Sequence, residues 1–103
     1  MDRFVRNGLL LGYYGGCLTK TQRAMMQLYY EHDYSLGEIA ETHSMSRQAV
    51  ADALRRAERA LEKLENEIGM AETAQKTRAL AQEGTQNPEN ASETLQKIFG
   101  MWE

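Results

Sequence analysis

Between Arg47 and Ile68 the chain carries neither glycine nor proline. Within that stretch Val50, Leu54, Ala57, Leu61, Leu64 and Ile68 follow one another in steps of 4, 3, 4, 3 and 4. Alternating steps of four and three place every one of these side chains on a single stripe of an α-helix. An uninterrupted helix over this span is about 33 Å long. The stripe amounts to nearly three heptads, enough to lie against another helix or against its own symmetry mate. Any fold for this chain is built around that rod. Its surroundings agree, because the sequence has one proline, few β-branched residues and many Ala, Leu, Glu, Gln and Arg. These residue types lose little on entering a helix, and the expected class is all-α.

Upstream, residues 2–17 read as a first helix, with Phe4, Val5, Leu9, Leu10, Tyr13, Tyr14 and Cys17 supplying apolar contacts. Gly8, Gly12 and Gly16 recur every four residues and share one face. That face suits the close approach of another backbone, or else marks a weak helix that forms only because it is packed. Thr19 can cap a second helix whose stripe is Met25, Leu28 and Tyr29, widened by Met26 and Tyr30. His32-Asp33-Tyr34 interrupts it. Ser35-Leu36-Gly37-Glu38 has the form of a capping box, in which serine and glutamate each bond the other's backbone N–H. A short helix follows through Ile39 and Ala40, His43-Ser44-Met45 turns the chain, and Ser46 caps the rod. Beyond Gly69 large apolar residues thin out over 70–83. Gly84 to Pro88 read as a loop, with Asn87-Pro88 as a cap and first-turn proline. Residues 89–102 regain a stripe at Ala91, Leu95, Ile98, Phe99 and Trp102.

The organisation expected is therefore a domain over residues 1–69 and a helical C-terminal extension over 70–103. Lys+Arg 12 against Asp+Glu 15, a formal net charge of −3, excludes nucleic-acid binding by bulk charge, so any basic footprint has to be local. A single cysteine excludes a disulfide scaffold or a multi-thiolate metal site and favours a reducing compartment. The longest apolar stretch, Leu9 to Leu18, is interrupted by glycine and is about half of the ~20 residues that span a bilayer. A cytoplasmic protein without membrane insertion is expected.

Spacing from Leu36 to Leu54 carries the chemistry. A helix-turn-helix needs a small residue in its first helix where the second crosses, and Ala40 stands there. It needs an apolar residue tucked into the turn, which is Met45, and a capped second helix, which starts at Ser46. Leu36, Ile39, Met45, Val50 and Leu54 then close a small core. The outward face presents Arg47, Gln48, Ala51, Asp52, Arg55 and Arg56. In such a motif the second helix enters the major groove, its first residues read base edges and its neighbours hold phosphates. Residues 47–59 hold four arginines against Asp52 and Glu58, a net +2, whereas residues 61–103 hold eight acids against four bases, a net −4. The positive charge falls where the motif places it.

From Thr19 to Leu61 the chain resembles the helix-turn-helix of sigma factor region 4. The strings Gln22-Arg23, Leu28-Tyr29-Tyr30, Asp33-Tyr34-Ser35-Leu36-Gly37-Glu38-Ile39-Ala40-Glu41 and Ser46-Arg47-Gln48-Ala49-Val50 are similar to those of the YlxM family. This is a family of small bacterial proteins encoded beside signal recognition particle genes. The likeness extends over residues 1–69. It implies a sigma region 4-like, wingless helix-turn-helix (motif 36–56) with a long recognition helix, homodimerisation and double-stranded DNA as partner. It also implies a role beside signal recognition particle components. Three positions depart from the family pattern. Ser44 stands where Gly or Asn is usual, and a left-handed backbone there costs a side chain about 1 kcal/mol. His43 replaces a large apolar residue, and Ala51 an outward aromatic.

The expected nucleic-acid contacts are thus Arg23, Ser46, Arg47, Gln48, Ala51, Asp52, Arg55 and Arg56. Arg47 and Gln48 would touch bases, Arg55, Arg56 and Arg23 the backbone. Arg55, Arg56 and Arg59 have an equal alternative in pairing with Asp52, Glu58 and Glu62 at helical spacing. The rod's seam and the glycine-faced first helix would form the dimer. His32 and His43 have no third ligand at metal spacing, Cys17 reads as a buried small hydrophobe, and Tyr29, Tyr30 and Tyr34 as core or interface groups. No phosphate loop or nucleophile–base pair is present, so neither enzymatic activity nor a cofactor is expected. The runner-up function is an accessory factor that binds signal recognition particle RNA or protein without reading DNA. A third is an assembly module whose apolar tail (Leu95, Ile98, Phe99, Trp102) docks on its own dimer or a partner.

Overall fold

A computed structural model describes residues 1–86 and 91–102. Among these, six α-helices follow one another: α1 (Arg3–Tyr14), α2 (Lys20–Glu31), α3 (Leu36–His43), α4 (Arg47–Ile68), α5 (Met70–Gln86) and α6 (Ala91–Trp102). A 3-10 turn over Gly15–Cys17 closes α1, so the first helix ends three residues before the sequence pattern suggests. No strand occurs among the described residues, and the chain is all-α. It divides into two compact units, Met1–Ile68 and Gly69–Glu103.

Local chemistry sets the helix starts. Thr19 accepts from the Gln22 N–H while the Gln22 side chain accepts from the Thr19 N–H, and Ser35 and Glu38 repeat this exchange at 3.1 and 3.0 Å. Ser46 Oγ accepts from the Ala49 N–H at 3.0 Å and starts α4. Each such cap contributes about 1 kcal/mol by satisfying backbone donors that the first helical turn leaves without partners. Between α3 and α4 the chain reverses through Ser44, whose φ of 54° and ψ of 47° are left-handed. The N–H groups of Ser44 and Met45 donate back to the carbonyls at the end of α3, which satisfies them in the manner of a glycine-type C-cap.

In the first unit α4 is the central rod, touched by α1, α2 and α3. Leu10, Met25, Met26, Ile39, Val50 and Leu61 are fully buried at its centre. Ala40 is buried where α3 crosses α4 and Leu54 is buried beside it, while Leu36 and Met45 are half-buried. Val50, Leu54, Ala57 and Leu61 are thus covered by this chain's own helices, and only Leu64 and Ile68 keep accessible surface. This corrects the expectation that the seam meets a symmetry mate. Three short helices within one chain already bury it, and packing within a chain avoids the translational and rotational entropy that association loses.

Cross-helix polar contacts fasten α1 to α4 in the same order along both. Arg3 pairs with Glu58 at 3.1 Å, Arg6 holds Glu62 through both Nε and Nη2, and the Tyr14 hydroxyl donates to Glu65 at 2.6 Å in the buried interior. Asn7, Leu10, Leu11 and Tyr14 face inward, whereas Phe4 and Val5 are exposed. Cys17 is exposed too, which corrects its reading as a buried hydrophobe: the 3-10 turn rotates it off the face that α1 buries.

The second unit is a helical hairpin. Helix α5 continues through Gly84 to Gln86, so Gly84, Thr85 and Gln86 are helical rather than part of a loop. A Cβ at Gly84 would stand 3.3 Å from Thr94 Cγ2, so the missing side chain lets α6 approach α5. The expected Asn87-Pro88 cap lies outside the described residues. Thr94 is buried in this contact, and Trp102 Nε1 donates to Thr77 Oγ1 at 2.6 Å. Leu95, Phe99 and Trp102 stay exposed along α6. No described helix is long and apolar enough to cross a membrane.

Candidate nucleic-acid interface

Helix α3, the left-handed turn and α4 make a helix-turn-helix, and the face of α4 turned from the core begins at its capped N-terminus. Arg47 and Gln48 are both exposed there, one and two residues beyond the Ser46 cap. The Arg47 guanidinium lies over Gly37 of α3, where a Cβ would come within 3.1 Å of Nε and 3.2 Å of Nη2. Glycine at 37 therefore leaves room for an arginine that has no ion-pair partner among the described residues.

Gln48, Asp52 and Arg55 form one chain of hydrogen bonds along this face. The Gln48 amide donates to Asp52 at 3.1 Å, and Arg55 Nη2 donates to the same carboxylate oxygen at 2.5 Å. The Arg55 and Gln48 donors hold the Asp52 carboxyl below the usual carboxylate range. Of the two readings of Arg55, pairing with Asp52 at i,i+3 is therefore present in the free chain. Arg56 and Arg59 are exposed and make no ion pair among the described residues, so they do not take up the pairing offered by Glu58 and Glu62. Those two carboxylates are engaged instead by Arg3, Arg6 and Tyr30.

Ala51 is half-buried and borders a hollow of about 380 Å³ between α4 and the aromatic side chains of Phe4, Tyr29 and Tyr30. The Tyr30 hydroxyl donates to Glu58 at 2.6 Å and accepts from Asn7 at 3.3 Å. Burial, with the Glu58 carboxylate second, pushes its phenol far above the ordinary tyrosine value. Arg23 stands apart from the other candidates. Its guanidinium approaches Gly15, and it lines a separate groove with Gly16, Leu18, Lys20 and Gln27 that no α4 residue borders.

The structure thus brings Arg47, Gln48, Ala51, Asp52, Arg55 and Arg56 onto one helix with Ser46 as its cap, and leaves Arg23 outside that group. Sequence reasoning missed the part of α1 in this surface. Arg3, Arg6 and Phe4 border the outer flank of α4, and the periodicity of α4 alone gives no sign of which helix will lie there. The one available signal was the run Glu58, Glu62 and Glu65 on a single flank, whose charge calls for donors from a neighbouring helix.

These features define an all-α helix-turn-helix protein. Residues 1–100 match the profile of the family described as "Putative helix-turn-helix protein, YlxM / p13 like" (UPF0122), and the chain belongs to that family. It is similar to a UPF0122 protein of Desulforamulus reducens, 47% identical over 70 residues that make up 68% of this chain and 60% of that protein. A UPF0122 protein of Caldanaerobacter subterraneus subsp. tengcongensis is 49% identical over 69 residues, 67% of this chain and 59% of its own length. One from Geobacillus kaustophilus is 47% identical over 70 residues, 68% and 64% respectively. The match thus spans about 60% of the length of these relatives.

Proposed function

We propose that this chain binds double-stranded DNA in the cytoplasm as a regulatory protein, with the N-terminal turns of α4 in the major groove. The observation that carries this reading is the exposed, capped start of α4, where Arg47 projects without an ion-pair partner over the glycine of α3. Arg47 and Gln48 contact base edges, and Arg55 and Arg56 the flanking phosphates, with Ser46, Ala51 and Asp52 completing the face. Asp52 carries negative charge into this surface, so on binding Arg55 exchanges the carboxylate for a phosphate. Arg23, in its separate groove, serves only a strand that reaches past α2. The domain of residues 1–69 makes these contacts.

The chain acts as a homodimer through the outward face of α1, where a Cβ at Gly8 or Gly12 would meet nothing within 4 Å. A two-fold dimer reads half-sites about one helical turn apart. The regulatory role lies beside the signal recognition particle pathway, a reading supported by the family likeness.

Fluorescence anisotropy of labelled duplex DNA, read at about 50 and 200 mM salt, tests the proposal. Affinity should fall steeply with salt, and Arg47→Ala/Arg55→Ala should remove most of it. A duplex affinity that is absent, or unchanged in the double variant, overturns it.

A further inference from the structure

The hollow beside Ala51 does not end there. It shares Arg3, Arg55 and Glu58 with a second groove of about 570 Å³ that follows the flank of α4 through Arg59 and Lys63 to Asn66. Together they make one trough along α4 from Ala51 to Asn66, about 22 Å at the helical rise. Its two ends differ in chemistry.

At the Ala51 end the wall is aromatic. The Phe4 ring lies 4.8 Å from that of Tyr30 and 5.9 Å from that of Tyr29, and the two tyrosines meet edge-on at 5.0 Å. The tyrosines brace Phe4 from behind, and 44% of Phe4 remains exposed. A braced, solvent-facing ring is a flat apolar platform. Along the outer bank Arg55, Arg59 and Lys63 recur every four residues, one cation per about 6 Å. That step is comparable to the distance between phosphates of an extended single strand. The opposing carboxylates are already matched, Glu58 by Arg3 and Tyr30, Glu62 by Arg6. Arg59 and Lys63 have no ion-pair partner among the described residues, so the uncompensated charge of the trough is positive.

Aromatic platforms beside a cationic track are how proteins hold unpaired nucleic acid: every base has a face to stack and every nucleotide a phosphate. A duplex cannot use the platform, because its bases are stacked on one another. From the start of α4, Arg59 and Lys63 are about 18 and 24 Å away along the helix, beyond the ~12 Å width of a major groove that the reading end would occupy. We propose that the α1–α4 trough is a second site, which binds a single strand of nucleic acid of about four nucleotides. A base stacks on Phe4 and the phosphates lie along Arg59 and Lys63. The site is independent of the duplex reading.

The test uses labelled oligothymidylate and oligouridylate of about eight nucleotides, with anisotropy measured on the whole chain at about 50 and 200 mM salt. Phe4→Leu keeps the apolar packing and removes the platform, and should weaken binding roughly 5- to 150-fold. Arg59→Gln/Lys63→Gln, at two exposed positions, removes two phosphate contacts. Each contributes about 0.7 to the salt slope, so over this fourfold salt range wild-type affinity should fall about sevenfold more than the variant's. Tighter binding of one oligonucleotide identifies the strand as DNA or RNA and supports the site either way.

Absence of binding by wild type overturns the proposal, as does binding that either variant leaves unchanged. Loss of oligonucleotide binding only in Arg47→Ala/Gln48→Ala, two positions outside the trough, overturns it too and assigns the affinity to the helix-turn-helix face. Duplex affinity measured on the same proteins separates the two readings, because the groove variants should leave it within about twofold while the single-strand affinity falls.

Discussion

Replacing Gly37 by alanine tests whether Arg47 is a mobile surface group, which a base-reading side chain has to be. Gly37 lies in the first turn of α3, and its φ is not among the positive values of the described chain, so alanine fits the backbone without strain. Alanine is favoured over glycine in a helix by about 1 kcal/mol, less near an end, which makes the local gain roughly 0.5–1 kcal/mol. The new Cβ would stand 3.1 Å from Arg47 Nε and 3.4 Å from Cζ. Comfortable contact is about 3.5–4.0 Å, so the guanidinium has to retreat by several tenths of an ångström. An exposed arginine makes that move by a torsional adjustment costing at most about 0.5 kcal/mol. The net expectation is stabilisation of a few tenths of a kcal/mol, and a melting temperature raised by about 1–4 °C. Urea unfolding followed by circular dichroism reads the first quantity, and duplex anisotropy should show at most a severalfold loss as Arg47 resettles. Destabilisation by 1 kcal/mol or more would refute the reasoning, since it would mean that Arg47 is locked into the fold rather than resting on it.

Other expectations follow from the turn, the interior and the titrating groups. Ser44→Gly removes a Cβ from a left-handed position with φ 54° and should stabilise by about 0.5–1 kcal/mol in the same denaturation assay, whereas Ser44→Val should destabilise. Tyr14→Phe withdraws the buried donor 2.6 Å from Glu65 and should cost about 1.5–3 kcal/mol, while Tyr13→Phe, at a half-buried ring, should stay within about 0.5. A Tyr14→Phe protein as stable as wild type would remove this bond from the account of the core. Tyr30 has a raised folded-state pKa, so its contribution is complete below the unfolded value near 10 and is lost as pH climbs further. Spectrophotometric titration, compared with a Tyr30→Phe variant, should show the Tyr30 phenol ionising only as the chain unfolds. On the acid side Arg6 lowers Glu62, with hydrogen bonding as the first cause, and this contribution is present above pH ~4.3 and disappears as pH falls through the folded value. Arg6→Gln should therefore flatten the acid limb of the stability profile.

Much of this protein was legible from residues close together in the chain, because the interactions concerned close over three or four positions. The capping exchanges of Thr19 with Gln22 and Ser35 with Glu38 depend only on local backbone geometry. So does the left-handed turn at Ser44, and Ala40 against a capped Ser46 follows from the spacing of the motif. The outward placement of Arg47, Gln48 and Arg55 is likewise a matter of helical phase. Tertiary structure decided what lies against each helix. The stripe of α4 is equally suited to a symmetry mate and to α1, α2 and α3, and which of them buries Val50 and Leu61 depends on how short helices fold back over it. Glu58, Glu62 and Glu65 have candidate partners within α4, yet Tyr30, Arg6 and Tyr14, on α2 and α1 and more than twenty residues away, engage them. Gly84 breaks a helix by propensity, yet it stays helical because α6 packs into the space its absent side chain leaves. Periodicity and capping belong to the chain itself, whereas the trough that joins Phe4 to Arg59 and Lys63 exists only once α1 has been laid beside α4.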